Sequence, residues 1–224
     1  MDVAENRKEI FAEVAKMAEA SGRKPADVRV IAVTKSVDEK TTRELAETGQ
    51  KDMAENRVDK FLAKKAALKD FPEITWHLIG TLQRRKVKEV INEVDYFHAL
   101  DSLRLASEIQ KRADHAIRCL IEVNVSGEES KHGVSPAELV ELVQSMKELD
   151  KVQIVGLMTM APLEAEAPEI LHLFQELKKL QEKVHDLGLS YAPCTELSMG
   201  MSNDYPLAVE AGATMIRVGR RFFK

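Results

Sequence analysis

Two stretches at opposite ends of the chain carry residues that could do chemistry together. The apolar run 28–35, VRVIAVTK, ends on Lys35. Side chains alternate along a strand, so Ile31, Val33 and Lys35 share one face. If that face is the interior, the Lys35 amine is partly desolvated with a lowered pKa, as a lysine that condenses with carbonyls requires. The other reading is an ammonium snorkelling out of the strand end. Near the far end, ELSMGMSND (196–204) and IRVGR (216–220) supply Ser202, Arg217, Gly219 and Arg220. Ser202 precedes a helical stretch, 204–210, whose free N–H groups would favour an anion. Gly219 admits close backbone approach. Taken singly, Ser202 is equally a plain helix cap and Gly219 a plain turn. Arg217 alternates with Met215 and Gly219, so it shares their face. A guanidinium donates only. Beside a basic ring nitrogen of a ligand it would leave that nitrogen unprotonated. Alternatively it meets an interior carboxylate such as Glu196.

These residues need elements to position them. Eight β-rich runs are expected, at 28–35, 51–56, 74–80, 96–101, 117–126, 152–160, 194–201 and 214–219. The first five begin 21–23 residues apart, the length of one strand, one helix and two short loops. Helical patterns fill the gaps. Asp38 caps 38–48, and Gly49 stops it. Ser135-Pro136-Ala137-Glu138 reads as a helix opening, followed by apolar Leu139, Val140, Leu142, Val143 and Met146. The stretch 168–188 carries one apolar face and ends at Gly188. Residues 4–20 form an extra amphipathic helix, within an N-terminal segment 1–22 that packs on the rest. Strand alternating with helix implies a parallel sheet covered on both faces. Eight units favour a single-domain (β/α)8 TIM barrel over 1–224, with an open doubly wound sheet as the competitor.

A barrel binds ligands at the C-terminal ends of its strands, with phosphates most often after strands seven and eight. Closure makes strand one the neighbour of strand eight. An amine on one and an anion site on the other converge on a ligand with an aldehyde and a phosphate, pyridoxal 5′-phosphate. His77 reads as a satisfied interior group, the 128–133 loop as a lid or a solvated connection, and Met158 and Met160 as filling for the barrel mouth.

Composition narrows the rest. Apolar residues are 44% and charged residues 31%, as in ordinary globular chains. Lys plus Arg is 33 against 37 for Asp plus Glu, a net charge of −4 that offers nothing to nucleic acid or an anionic membrane. Cys119 and Cys194 form no C-x-x-C pair, so neither a disulfide framework nor structural zinc is expected. No metal motif, P-loop, dinucleotide fingerprint or nucleophile elbow is present. No leader-like or membrane-length apolar run occurs, so the default location is the cytoplasm.

The ordered motifs AVTK (32–35), AEN (54–56), WHLIGTLQ (76–83), NVSGE (124–128), KHG (131–133), GLM (156–158), LSMGMS (197–202) and IRVG (216–219) resemble those of the pyridoxal phosphate homeostasis proteins. The series spans 28–219, and WHLIGTLQ and LSMGMSND are its specific members. The resemblance implies a barrel like the N-terminal domain of alanine racemase. It implies that Lys35 holds pyridoxal phosphate as a Schiff base, that Ser202 and the Gly219-Arg220 backbone hold the phosphate, that Arg217 lies near the pyridine nitrogen and Asn56 near the ring. It also implies a carrier or regulator of the cofactor with little turnover, apo-enzymes as clients, and a monomer or weak homodimer. One departure is the ending Arg220-Arg221-Phe222-Phe223-Lys224, where the family usually continues with a small or acidic residue and an Ile-Phe-Gly ending. There Arg220 would add a cationic contact to the phosphate. An amino-acid racemase or decarboxylase on the same barrel is the alternative. It would need a second acid/base, and the chain is expected to stop before any second domain; of the tyrosines only Tyr205 falls near a strand-seven loop. A cofactor-free aldolase using Lys35 is a third reading.

Overall fold

Eight short parallel strands, paired in chain order, close on themselves. They are β1 (Arg29–Val33), β2 (Asp52–Glu55), β3 (Thr75–Leu78), β4 (Tyr96–Leu100), β5 (Ile117–Glu122), β6 (Val152–Met158), β7 (Glu196–Ser198) and β8 (Met215–Val218). The computed structural model describes residues 2–128 and 132–224. Closure is made by β8 against β1, from Arg29 opposite Met215 to Ala32 opposite Val218. The eight-unit reading of the sequence is therefore a closed barrel rather than an open sheet.

Outside lie α1 (Val3–Ala20), α2 (Glu39–Glu47), α3 (Val58–Ala67), α4 (Arg84–Val90), α5 (Leu103–Arg112), α6 (Leu139–Ser145), α7 (Ala167–His185) and α8 (Tyr205–Glu210). Local chemistry explains several boundaries. Asp38 caps α2 by accepting from the Thr41 N–H at 2.8 Å. Helix α7 carries Leu173, Phe174, Leu177 and Val184 on its buried face, and Gly188 takes a left-handed φ of +63° beyond its end. The core is formed by both faces of the strands, with Ile31, Met53, Phe97, Ile121, Leu157 and Ile216 fully buried. Both free cysteines, Cys119 and Cys194, are inside it. Gly156 is required where β6 crosses β7: a Cβ there would lie 2.1 Å from the Glu196 carbonyl oxygen.

Every expected strand exists, but each is shorter than its apolar run. β5 ends at Glu122 rather than 126; beyond it Val123 still donates to the Met158 carbonyl of β6 at 2.9 Å while its other side bridges Val134. The helix expected to open at Pro136 begins at Leu139 instead; 135–138 is a turn in which the Glu138 carboxylate reaches back to the Ser135 hydroxyl at 2.6 Å. Of the 128–133 loop, Glu129, Ser130 and Lys131 lie outside the described residues. Helix α1 packs against α8 and against a single 3-10 turn, Arg220–Phe223, that follows β8. No helix among the described residues is long and apolar enough to cross a membrane.

Candidate functional site

The C-terminal ends of the strands open into a cavity of about 960 Å³. Lys35, Asn56, Ser202, Arg217, Gly219 and Arg220 all line it. The barrel thus brings together six residues that the sequence scatters over most of its length.

Of the two readings of Lys35, the structure takes the exposed one. Lys35 is not the last residue of β1 and is not desolvated. It stands in a turn two residues past Val33 and is exposed at the mouth. The reason lies in Thr34, whose carbonyl accepts from the Val37 N–H at 3.1 Å and from Lys64 Nζ at 2.6 Å, so the strand ladder stops there. Lys64 also pairs with Glu55, and both side chains are fully buried. The Thr34 hydroxyl donates to Glu55 Oε1 at 2.7 Å. A buried ion pair from β2 and α3 therefore anchors the backbone that presents Lys35. Glu55 Oε2 is buried with no hydrogen-bond partner among the described residues.

Asn56 follows β2 and is exposed. Its backbone is crowded by Gly80, where a Cβ would come within 2.0 Å of the Asn56 carbonyl oxygen; only glycine lets the β3 loop pass so close.

Ser202 is not the cap of α8. Asp204 holds that position, and its carboxylate accepts from the Met201 N–H. The Ser202 hydroxyl instead accepts from the Gly219 N–H at 3.2 Å, tying the loop after β7 to the loop after β8. Gly219 packs on β1, where a Cβ would stand 3.3 Å from the Val33 carbonyl oxygen. Arg220 is exposed, with its Nη2 donating to Asn203 Oδ1 at 3.1 Å.

Arg217 is 3% exposed on the cavity floor. It does not pair with Glu196, whose carboxylate is taken by the Thr214 hydroxyl. Its Nη1 donates to Ser198 Oγ at 2.6 Å and its Nη2 to the Thr159 carbonyl at 3.0 Å. Burial lowers its pKa to about 10, against the opposing pull of Asp204 and Glu122. It is cationic at neutral pH.

Sequence reasoning missed two lining carboxylates. Glu122 closes β5 and is 5% exposed; burial raises its pKa, opposed by His132 and Arg217 and reinforced by Asp101. Asp204 is raised by burial as well, opposed by the Met201 N–H and Arg217. A charged residue closing an apolar strand, the signal that picked out Lys35, would have found Glu122. Tyr205 is fully buried and its hydroxyl donates to Glu13 of α1 at 2.5 Å. His77 is the interior group it was expected to be, with both ring nitrogens bonded. No cluster of metal-ligating side chains exists among the described residues. Met160 and Leu163, the latter 93% exposed, line the rim.

The family model for the alanine racemase N-terminal domain matches residues 6–223. The pyridoxal phosphate homeostasis protein of Aquifex aeolicus is 38% identical over an alignment spanning 100% of this chain and 98% of that one. Among solved structures, an unknown protein from Bifidobacterium adolescentis superposes with a TM-score of 0.93 at 32% identity, covering 99% of this chain and 94% of that one. PipY of Synechococcus elongatus PCC7942, solved with PLP bound, superposes with a TM-score of 0.82 at 35% identity, covering 94% of this chain and all of that one.

Proposed function

The chain belongs to the alanine racemase N-terminal domain family and, within it, to the pyridoxal phosphate homeostasis proteins, and from that membership we propose that it binds pyridoxal 5′-phosphate and regulates the intracellular pool of that cofactor. Residues 1–224 act as one cofactor-binding unit in the cytoplasm, with little or no turnover. The observation that carries this reading is the meeting, on one cavity, of an amine, Lys35, and two groups able to donate to an anion, the Ser202 hydroxyl held by Gly219 and the Arg220 guanidinium.

The residues present fit the cofactor. The volume falls within the roughly 300–1,000 Å³ of small-molecule sites. The Ser202 oxygen already accepts from Gly219, so its own hydrogen is free to donate to a phosphate oxygen. Arg220 adds a cation beside it, already steadied by Asn203. Pyridoxal phosphate supplies an aldehyde that condenses with an amine, losing water. Lys35 is the amine that holds it, and its exposed position at the mouth leaves it open to incoming amines and to client apo-enzymes. Asn56, on the same cavity, would stand beside the ring. Arg217 uses two of its five N–H groups on Ser198 and Thr159 and keeps the rest for the cavity. Because it remains cationic and can only donate, it would leave a pyridine nitrogen placed against it unprotonated. The ring would then be a weak electron sink, which suits holding and releasing more than carbanion chemistry.

The test is spectroscopic. The purified protein, incubated with pyridoxal phosphate, should gain a near-visible band; borohydride should fix a phosphopyridoxyl group that peptide mapping locates on Lys35. Lys35→Ala should lose both band and adduct. A wild-type protein that stays colourless and unmodified, or an adduct on another lysine, overturns the reading. Rapid amino-acid racemization or decarboxylation by the loaded protein would overturn the non-catalytic part of it.

A further inference from the structure

Cofactor binding calls on only the upper end of a file of side chains that descends through the barrel core. Arg217 Nη1 lies 2.6 Å from Ser198 Oγ. Ser198 Oγ lies 2.8 Å from His98 Nδ1. His98 Nε2 lies 2.9 Å from His77 Nδ1, and His77 Nε2 lies 3.0 Å from Asp52 Oδ1. Asp52 is the first residue of β2, at the end of the barrel away from the cavity, and Arg29 Nη1 stands 3.3 Å from the same oxygen. Arg217, Ser198, His98 and His77 are all buried, and five different strands contribute the file. Tyr96 stacks on the His77 ring at 4.8 Å and holds its plane.

The hydrogens in this file can be assigned from its two ends. Burial keeps both imidazoles neutral, against the pull of Asp52 on His77 and reinforced for His98 by neighbouring cations. A neutral imidazole has one donor and one acceptor nitrogen. Asp52 is a carboxylate and accepts, so His77 Nε2 carries the proton and His77 Nδ1 accepts. His98 Nε2 must then donate, which makes His98 Nδ1 an acceptor. The Ser198 hydroxyl donates to it and offers its lone pairs to the Arg217 N–H. Every bond points from the cavity toward Asp52. Reversing His98 would direct its N–H at Ser198 and turn the serine hydrogen toward a guanidinium that cannot accept.

We propose that Asp52, His77, His98 and Ser198 are positioning residues, whose one-way hydrogen-bond file fixes the Arg217 guanidinium at the cavity floor from the opposite end of the barrel. The step from Arg217 to the cofactor rests on the binding reading above; the file itself does not.

Two measurements decide it. Long-range proton–nitrogen spectra of the 15N-labelled full chain without cofactor should show His77 and His98 neutral, each protonated on Nε2. Asp52→Ala should mix the tautomers of both rings. A wild-type ring protonated on Nδ1, or an Asp52→Ala spectrum with unchanged rings, overturns the proposal. Should Asp52→Ala not fold, Asp52→Leu, which keeps volume and removes the acceptor, carries the same test. In pyridoxal phosphate titrations, Ser198→Ala should weaken binding about tenfold, the loss expected for one hydrogen bond to a charged group, and shift the near-visible band. Ser198→Thr, which keeps the hydroxyl, should restore both. A Ser198→Ala protein that melts earlier but binds with unchanged affinity and band shows a purely structural file and overturns the proposal. If the wild type takes up no cofactor, the binding reading fails, while the ring tautomers still decide the file.

Discussion

At the residue scale, charge at the cavity mouth should tune affinity. Arg220 is exposed and held by Asn203, so its contribution to a bound phosphate is screened by water. Arg220→Ala should weaken pyridoxal phosphate binding by about three- to tenfold, measured by titration of the near-visible band; unchanged affinity discards the contact. Glu122 makes a pH prediction. Its pKa is raised in the folded state, so the fold keeps a proton that the unfolded chain has already lost. Stability therefore falls as pH rises from the ordinary carboxylate range through the raised value. Glu122→Gln should flatten that slope in thermal melts; an unchanged slope would assign it to Asp204, which is raised in the same sense. Of the six lining residues, Lys35, Ser202, Arg217, Gly219 and Arg220 were legible from residue type at strand ends, and Asn56 from the family resemblance alone. Glu122 carries the same signal, a charge closing an apolar strand, but placing the end of β5 at 126 left it inside the strand and unread. Exposure was one of two readings that the strand-end position of Lys35 left open; what decides between them is a turn held by Lys64, thirty positions beyond Thr34 in sequence.

At the element scale, the junction of β1, β2 and α3 depends on the buried pair of Glu55 and Lys64. Lys64→Met leaves the Glu55 carboxylate buried and unpaired, and should cost about 3–5 kcal/mol in chemical denaturation. The double variant Glu55→Leu, Lys64→Met should recover much of that loss, because it removes both charges; a double variant less stable than Lys64→Met would refute this account. Strand order and spacing were readable from hydrophobic patterning, since each unit needs an apolar strand and a helix with one apolar face. Strand ends were not. A parallel ladder stops where a carbonyl finds another partner, as at Thr34, or where the chain also bridges a loop, as at Val123 with Val134. Those partners come from tertiary structure.

At the scale of the whole molecule, closure was the feature that periodicity left open, and the pairing of β8 with β1 decides it. Helix α1 covers that seam. Its Glu13 accepts from the Tyr205 hydroxyl and from Arg221 Nη1 at 2.6 Å, while Asn6 donates to the Phe222 carbonyl at 3.0 Å. The segment 220–224 is thus clasped to α1, with Phe222 fully buried beneath the contact. Glu13→Ala should cost about 1–2 kcal/mol and lower Tm by roughly 2–8 °C in calorimetry; an unchanged Tm would show the clasp to be dispensable. The core also decides something about reactivity. Cys119 and Cys194 are both buried, and burial pushes both thiols up, Cys194 to about 12. Neither presents a thiolate at neutral pH. Thiolates add to aldehydes, as amines do. With both thiols withdrawn, an aldehyde bound at the mouth would meet no thiolate from this chain, and the fold would enforce chemoselectivity by hiding the competitor.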